Sequence, residues 1–110
     1  MKPIFHIASC EVWDAARVAG SYESDSLAAD GFVHCSFTDQ VARVANEKFR
    51  GQEGLVVLEI DADLIDAEIR LEDLYGLDED FPHVYGAIPE ASVVRVHEFV
   101  PDADGSFSFP

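Results

Sequence analysis

Hydrophobic and polar positions cluster and alternate along this chain in a way that assigns most of its elements. Residues 2–7 (KPIFHI) have the bulk of a short strand. Ser9 then offers an N-cap, Glu11 falls in the first turn and Gly20 supplies a stop, which predicts a helix over 10–19. Val12, Trp13, Ala16 and Ala19 share one face of it at three-to-four spacing, an amphipathic stripe with Trp13 as a core residue. Residues 21–26 read as a polar loop. Gly31 precedes a strand over 32–35, and Thr38-Asp39 opens a helix with Val41, Val44, Ala45 and Phe49 on its apolar side and Gly51 as its end.

The run at 55–60 is apolar on both faces except at Glu59, the pattern of a central strand covered above and below. Residues 61–66 suit a single helical turn, 69–72 a shorter strand with Ile69 and Leu71 opposite Arg70 and Glu72, and 77–80 a solvated acidic loop. His83 is expected in a turn, Phe81-Pro82-His83, ahead of Val84-Tyr85. Residues 92–100 form the last long strand, and Asp104-Gly105 turns the chain so that 106–109 folds back as a terminal strand. Strand and helix first, then mostly strands, give an α+β domain spanning 1–110, with a mixed or antiparallel sheet and a few helices against it.

Composition narrows the function classes. A chain of 110 residues buries roughly two-thirds of its unfolded surface, enough for a core without staples. Hydrophobic residues make up 48% and charged residues 26%, a globular mixture, but 22 acidic against 7 basic residues leave a net charge of −15. That charge repels phosphate backbones and anionic lipid, so nucleic acid held on a broad basic face is disfavoured. No segment is long and apolar enough for a bilayer, and Met1-Lys2-Pro3 leads into Ile4-Phe5 without a leader's apolar stretch, so the expected compartment is the cytosol and no membrane partner is expected. Cys10 and Cys35, without a CxxC, read as two reduced thiols.

The chemistry concentrates in GFVHCS (31–36) and FPHVYG (81–86). Strand alternation sends Val33 and Cys35 to one face and Phe32, His34 and Ser36 to the other, so Cys35 is a core thiol and His34 is not its base. Ser36, where the chain turns toward a helix, suits either a cap or an anion contact. Three of four histidines, His6, His34 and His83, lie in apolar segments punctuated by glycine or proline; buried polar groups need partners, so these three are expected to line one cleft. His97, alternating with Arg95, reads as a surface residue. The same three histidines, with Glu72, are the candidates for a metal-dependent hydrolase, although no HxH or HExxH occurs. GxGxxG and GxxxxGK[ST] are absent too.

IFHIAS at 4–9, the Trp13 helix ending at Gly20, Tyr22, Leu27, GFVHCS followed by Gln40, and FPHVYG together resemble the bacterial domain-of-unknown-function family nine hundred and fifty-two, over nearly the whole chain. Leu71 stands where that family usually has tryptophan before the glutamate. A strand histidine, a helix, then a strand reading V-H-x-S and a further helix also resembles the ADP-ribosyltransferase fold, its RNA 2′-phosphotransferase branch above all. That second resemblance implies a ligand of the NAD, ADP-ribose or phosphorylated-nucleotide class, with NAD as substrate rather than resident cofactor. By it, His6 matches the first ribose-contacting position and His34 with Ser36 the second. Ile7 replaces the glycine usual after the first histidine, and the basic residues that hold tRNA are missing. No glutamate is matched to the catalytic position of the transferase branches that use one; Glu72 is nominated as the polar base on its own account, with His34 also catalytic and His6, Ser36, His83 and Tyr85 ligand-binding. A non-catalytic ligand-binding or regulatory module is the alternative.

Overall fold

The computed structural model describes residues 2–109. β1 (Ile4–Ser9) runs directly into α1 (Cys10–Ala19), because Ser9 is both the last extended residue and the helix cap: its Oγ accepts the Val12 N–H at 3.1 Å. β2 (Ser21–Tyr22), α2 (Asp25–Asp30) and β3 (Val33–His34) follow. A 3₁₀ turn, Thr38–Gln40, leads into α3 (Val41–Lys48). Then come β4 (Leu55–Ile60), β5 (Glu68–Glu72), β6 (Phe81–Tyr85), β7 (Ile88–Pro89) and β8 (Val93–Phe99).

These strands make two three-stranded sheets, ordered β1-β4-β8 and β3-β6-β5, and a small β2-β7 pair. Every pairing is antiparallel, so the expected α+β class takes its antiparallel form. β4 is the central strand of its sheet, as its two-faced apolar run requires. One of its faces, with Ile4, Ala8, Val56, Leu58 and Ile60, packs on Trp13 of α1 and on Val33, Cys35 and Val84 of the other sheet. The opposite face, with Phe5, Leu55 and Val57, packs on Val41 and Ala45 of α3 and on Phe99 and Phe107. The two sheets are stitched where Phe5 and Ser36 exchange both main-chain hydrogen bonds, at 2.8 and 2.7 Å. Among the described residues no helix is long and apolar enough to cross a membrane.

Several expectations need correction. The polar stretch 21–26 is not a loop: Tyr22 is buried opposite Ile88, and α2 begins at Asp25 and stops where Gly31 takes φ 86°. On α1 only Trp13 and Ala16 of the stripe are buried, while Val12 is 47% exposed. His83 sits in the middle of β6, not in a turn; Pro82 lacks an N–H, but its carbonyl accepts the Cys35 N–H at 3.1 Å and so keeps the ladder. Residues 106–109 do not form a strand. The turn at Asp104-Gly105 exists, but the returning chain docks on α3, where Asn46 pairs with both the N–H and the C=O of Phe107. His97 is half-buried and bonds Glu59 at 2.9 Å, rather than lying free on the surface.

The two punctuating glycines do different work. Gly31 provides the left-handed residue that ends α2. Gly86 has no such backbone; there a Cβ would stand 2.7 Å from the Cβ of Ala67, so glycine is needed for space.

Candidate functional site

β1 turns His6 to the face it shares with Ile4 and Ala8, toward the second sheet. There Nδ1–H donates to the His34 carbonyl at 2.5 Å and Nε2 accepts from the Tyr22 hydroxyl at 2.8 Å. Burial lowers the His6 pKa to about 4, so the ring is neutral and fixed in one tautomer. The same burial pushes the Tyr22 hydroxyl up, keeping it a donor.

β3 and β6 pair His34 directly with His83 across the ladder, so both rings project from the same face of their sheet. Phe32 packs against both, at ring-centroid distances of 4.7 and 4.3 Å. Tyr75, from the loop at 73–80, lays its hydroxyl between them: it hydrogen-bonds His34 Nδ1 and lies 3.1 Å from His83 Nε2. The outer nitrogen of each ring meets a carboxylate, His34 Nε2 at 3.2 Å from Asp30 and His83 Nδ1 at 3.1 Å from Glu72. Tyr85 donates to the same Glu72 oxygen at 2.6 Å. These bonds, Tyr85 first, hold the Glu72 carboxyl below its ordinary range, while burial lowers His83 against the opposing pull of Glu72.

The loop that carries Tyr75 is itself pinned. Asp73 accepts the N–H groups of Leu77 and Asp78 at 3.0 and 2.7 Å. Gln40, almost fully buried, donates to Glu79 and to the Asp80 carbonyl, both at 2.9 Å, and Arg43 grips both Glu79 oxygens at 2.6 and 2.7 Å.

A cleft of about 490 Å³ is walled by β1, by the chain at His34–Ser36, by α3 and by the loop at 73–80. The smaller part of its wall is polar and includes His6, Tyr22, Ser24, Ser26, His34 and Ser36. The larger part, with Ile7, Val12, Val44, Phe49, Leu55 and Leu77, is apolar. Arg43 and Lys48 also reach it, two of the chain's seven basic residues, together with Asp25 and Glu47. Lys48 Nζ stands 5.0 Å from the Tyr75 ring centre.

Of the residues singled out in the sequence, His6, His34 and Ser36 line this cleft, and the buried Cys35 touches its wall. His83, Glu72 and Tyr85 do not; they form a second tier behind it, reached through Tyr75. The three histidines therefore belong to one network but not to one cavity. Cys35 is buried in the core, with burial pushing its thiol pKa up. Both nitrogens of His6 and of His83 already have partners, and among the described residues no three His, Cys, Asp or Glu side chains are grouped to hold a metal ion. Sequence reasoning missed Tyr75 and Asp30. An aromatic residue inside an otherwise acidic loop, just before a glycine, was the available signal for Tyr75.

The family described as "Protein of unknown function (DUF952)" matches residues 7–96, which include both histidine motifs and every strand of the second sheet. This chain belongs to the DUF952 family. Among solved structures, the DUF952 chain is similar to the crystal structure of protein CC0527 from Caulobacter crescentus, at 35% identity and a TM-score of 0.88, covering 97% of this chain and 94% of that one. A crystal structure of a double mutant of CC0527 gives the same values. The solution NMR structure of CC0527 follows at 36% identity and a TM-score of 0.83, covering 96% and 91% of the two chains. Among curated proteins none matches.

Proposed function

We propose that the cleft takes a ribose-bearing ligand of the nucleotide or ADP-ribose class, NAD included. The observation that carries this reading is the convergence of His6, His34 and Ser36 with the Tyr22 and Tyr75 hydroxyls in a cleft whose remaining, larger wall is apolar. Sugar hydroxyls fit the polar part and a planar base the apolar part. A volume of about 490 Å³ suits a ligand of that size. Lys48 gives an anionic group one cation at the cleft, the neighbouring Arg43 being held by Glu79, in a chain that otherwise repels it.

The ADP-ribosyltransferase-like resemblance supports the same ligand: a strand histidine, a V-H-x-S strand and a cleft formed by sheet are what it implies. In such a site the neutral His6, both of whose ring nitrogens are taken, fixes the Tyr22 hydroxyl whose oxygen can accept from a ribose hydroxyl, and the reacting centre is the ribosyl carbon, which becomes oxocarbenium-like as its glycosidic bond breaks. A second reading, binding without turnover, is favoured by one observation: Glu72 is engaged by Tyr85 and His83 behind the cleft wall, so it does not reach a ligand directly.

Thermal melts with NAD, ADP-ribose, AMP and inorganic phosphate test the proposal. A ligand at a hundred times its dissociation constant adds about 2.7 kcal/mol, roughly 10 °C for a domain of this size. NAD or ADP-ribose is expected to raise the melting temperature, and His34→Ala to abolish the rise while leaving unliganded stability within about 1 kcal/mol. No rise with any of the four, or a rise unchanged in His34→Ala and Ser36→Ala, overturns it. Release of nicotinamide from bound NAD then separates the enzyme from the binding module.

A further inference from the structure

The hydrogen bonds behind the cleft can be counted proton by proton. Four bonds run in series: Asp30 to His34 Nε2, His34 Nδ1 to Tyr75, Tyr75 to His83 Nε2, and His83 Nδ1 to Glu72. Each needs one proton. Ionised carboxylates bring none, two neutral imidazoles bring one each and the phenol brings one, so the neutral chain holds three protons for four bonds. One bond is then left with two facing lone pairs. A fourth proton, making one imidazolium, satisfies all four. A fifth would set an N–H of each ring against Tyr75, whose own hydrogen would lose its place in the series.

We infer that Asp30, His34, Tyr75, His83 and Glu72 form one proton wire that carries a single shared extra proton, with Tyr75 as the residue through which the cleft histidine exchanges charge with the buried one. The exchange balances without any heavy atom moving. His34 Nδ1 gives its proton to the Tyr75 oxygen as Tyr75 gives its own to His83 Nε2, and the positive charge passes from one ring to the other.

The surroundings decide where that charge rests. His34 is half-exposed and faces Asp30, whereas the His83 side chain has no exposed surface. Glu72 favours charge on His83; Lys48 of α3, His34 itself and burial oppose it. His6 lies beside His34 through the His34 carbonyl, Arg70 is the cross-strand partner of His83, and Tyr85 shares the Glu72 oxygen. Near Tyr75 lie Asp30, Glu72, Cys35 and Lys48, and burial pushes its hydroxyl up to about 12, so it stays protonated and able to relay. These surroundings weigh against charge resting on His83. Acid–base work in the cleft can draw on the His83–Glu72 pair through the wire, which gives Glu72 a role at a distance. This deepens the proposed function by supplying the proton chemistry of the same cleft, yet its test needs no ligand.

Side-chain ¹⁵N NMR of the four histidines, followed against pH, reads the wire directly. In the wild type, the His34 and His83 rings are expected to respond in one common transition that takes up one proton in total. Tyr75→Phe keeps the ring packing but cuts the wire, so His34 is expected to titrate alone and His83 to stop responding. Glu72→Gln, which removes the charge at the far end, is expected to shrink the His83 share of the common transition. Separate transitions for the two rings in the wild type, two protons taken up together, or a Tyr75→Phe protein with the His83 response intact would each overturn the inference. The wild-type titration stands even if a variant fails to fold, and a failed ligand melt leaves it untouched.

Discussion

Both ring nitrogens of His6 are committed inside the protein, one to the His34 carbonyl and one to the Tyr22 hydroxyl, so a second proton on this ring would have to displace Tyr22 as donor. Burial, helped by the neighbouring His34 and opposed by the bond to the His34 carbonyl, lowers its pKa from 6.5 to about 4. The linkage sign follows. The unfolded chain binds the proton first as pH falls, so the stability from a neutral His6 is fully present above about pH 6.5 and is lost progressively toward pH 4. The loss from this one residue approaches about 3 kcal/mol. His83, lowered as well, acts in the same direction. Urea unfolding at a series of pH values is expected to show stability falling through this window. His6→Gln, which can keep a donor and an acceptor without titrating, is expected to flatten the profile. Equal slopes in the two proteins would mean that His6 does not contribute.

At the scale of elements, legibility followed how much of each signal is local. β1, α1 and β4 were readable because a cap, a stop and a two-faced apolar run lie within the segments themselves. β2 and β7 are two residues each and exist only through one another, so no periodicity could announce them. Pro82 hid a central strand, since proline ordinarily marks an edge or a turn. The terminal segment had a genuine turn, but Asn46, sixty-one residues away, takes both main-chain groups of Phe107 that strand pairing would have used. In the site, His34, Ser36 and His6 were visible as motif residues, whereas Tyr75 was not, because its role depends on a loop folding over two rings from other elements. Gly86 makes a prediction at this scale. Gly86→Ala drives a methyl into Ala67 at the junction of β5 and β6, and is expected to cost about 1 to 3 kcal/mol in unfolding experiments. Adding Ala67→Gly should recover much of that loss, less the backbone entropy of a new glycine. No recovery would show that Gly86 is required for its backbone and not for space.

The whole molecule, 38 × 36 × 26 Å, is threaded so that the chain visits its two main sheets alternately. It lays β1 in the first and β3 in the second, returns for β4, crosses back for β5 and β6, and comes home with β8. Each sheet is therefore closed by residues far apart in sequence: His6 waits for Leu58, and Val57 for His97. Loop-closure entropy is paid before those contacts repay it, so folding on the millisecond-to-second scale of non-local β topologies is expected. The cleft lies on the seam of the two sheets and has no earlier moment to appear. Refolding of briefly unfolded chains, followed by the emission of the single tryptophan, Trp13, should be one exponential, and protection of the Phe5 and Ser36 amides should arrive at the same rate. Amides protected well before the fluorescence change would show that the seam forms first. Under one common rate, a chain that still lacks β8 has no partly built site: β8 gives the cleft none of its wall, yet without it β4, which brings Leu55 to that wall, has one of its two partner strands missing.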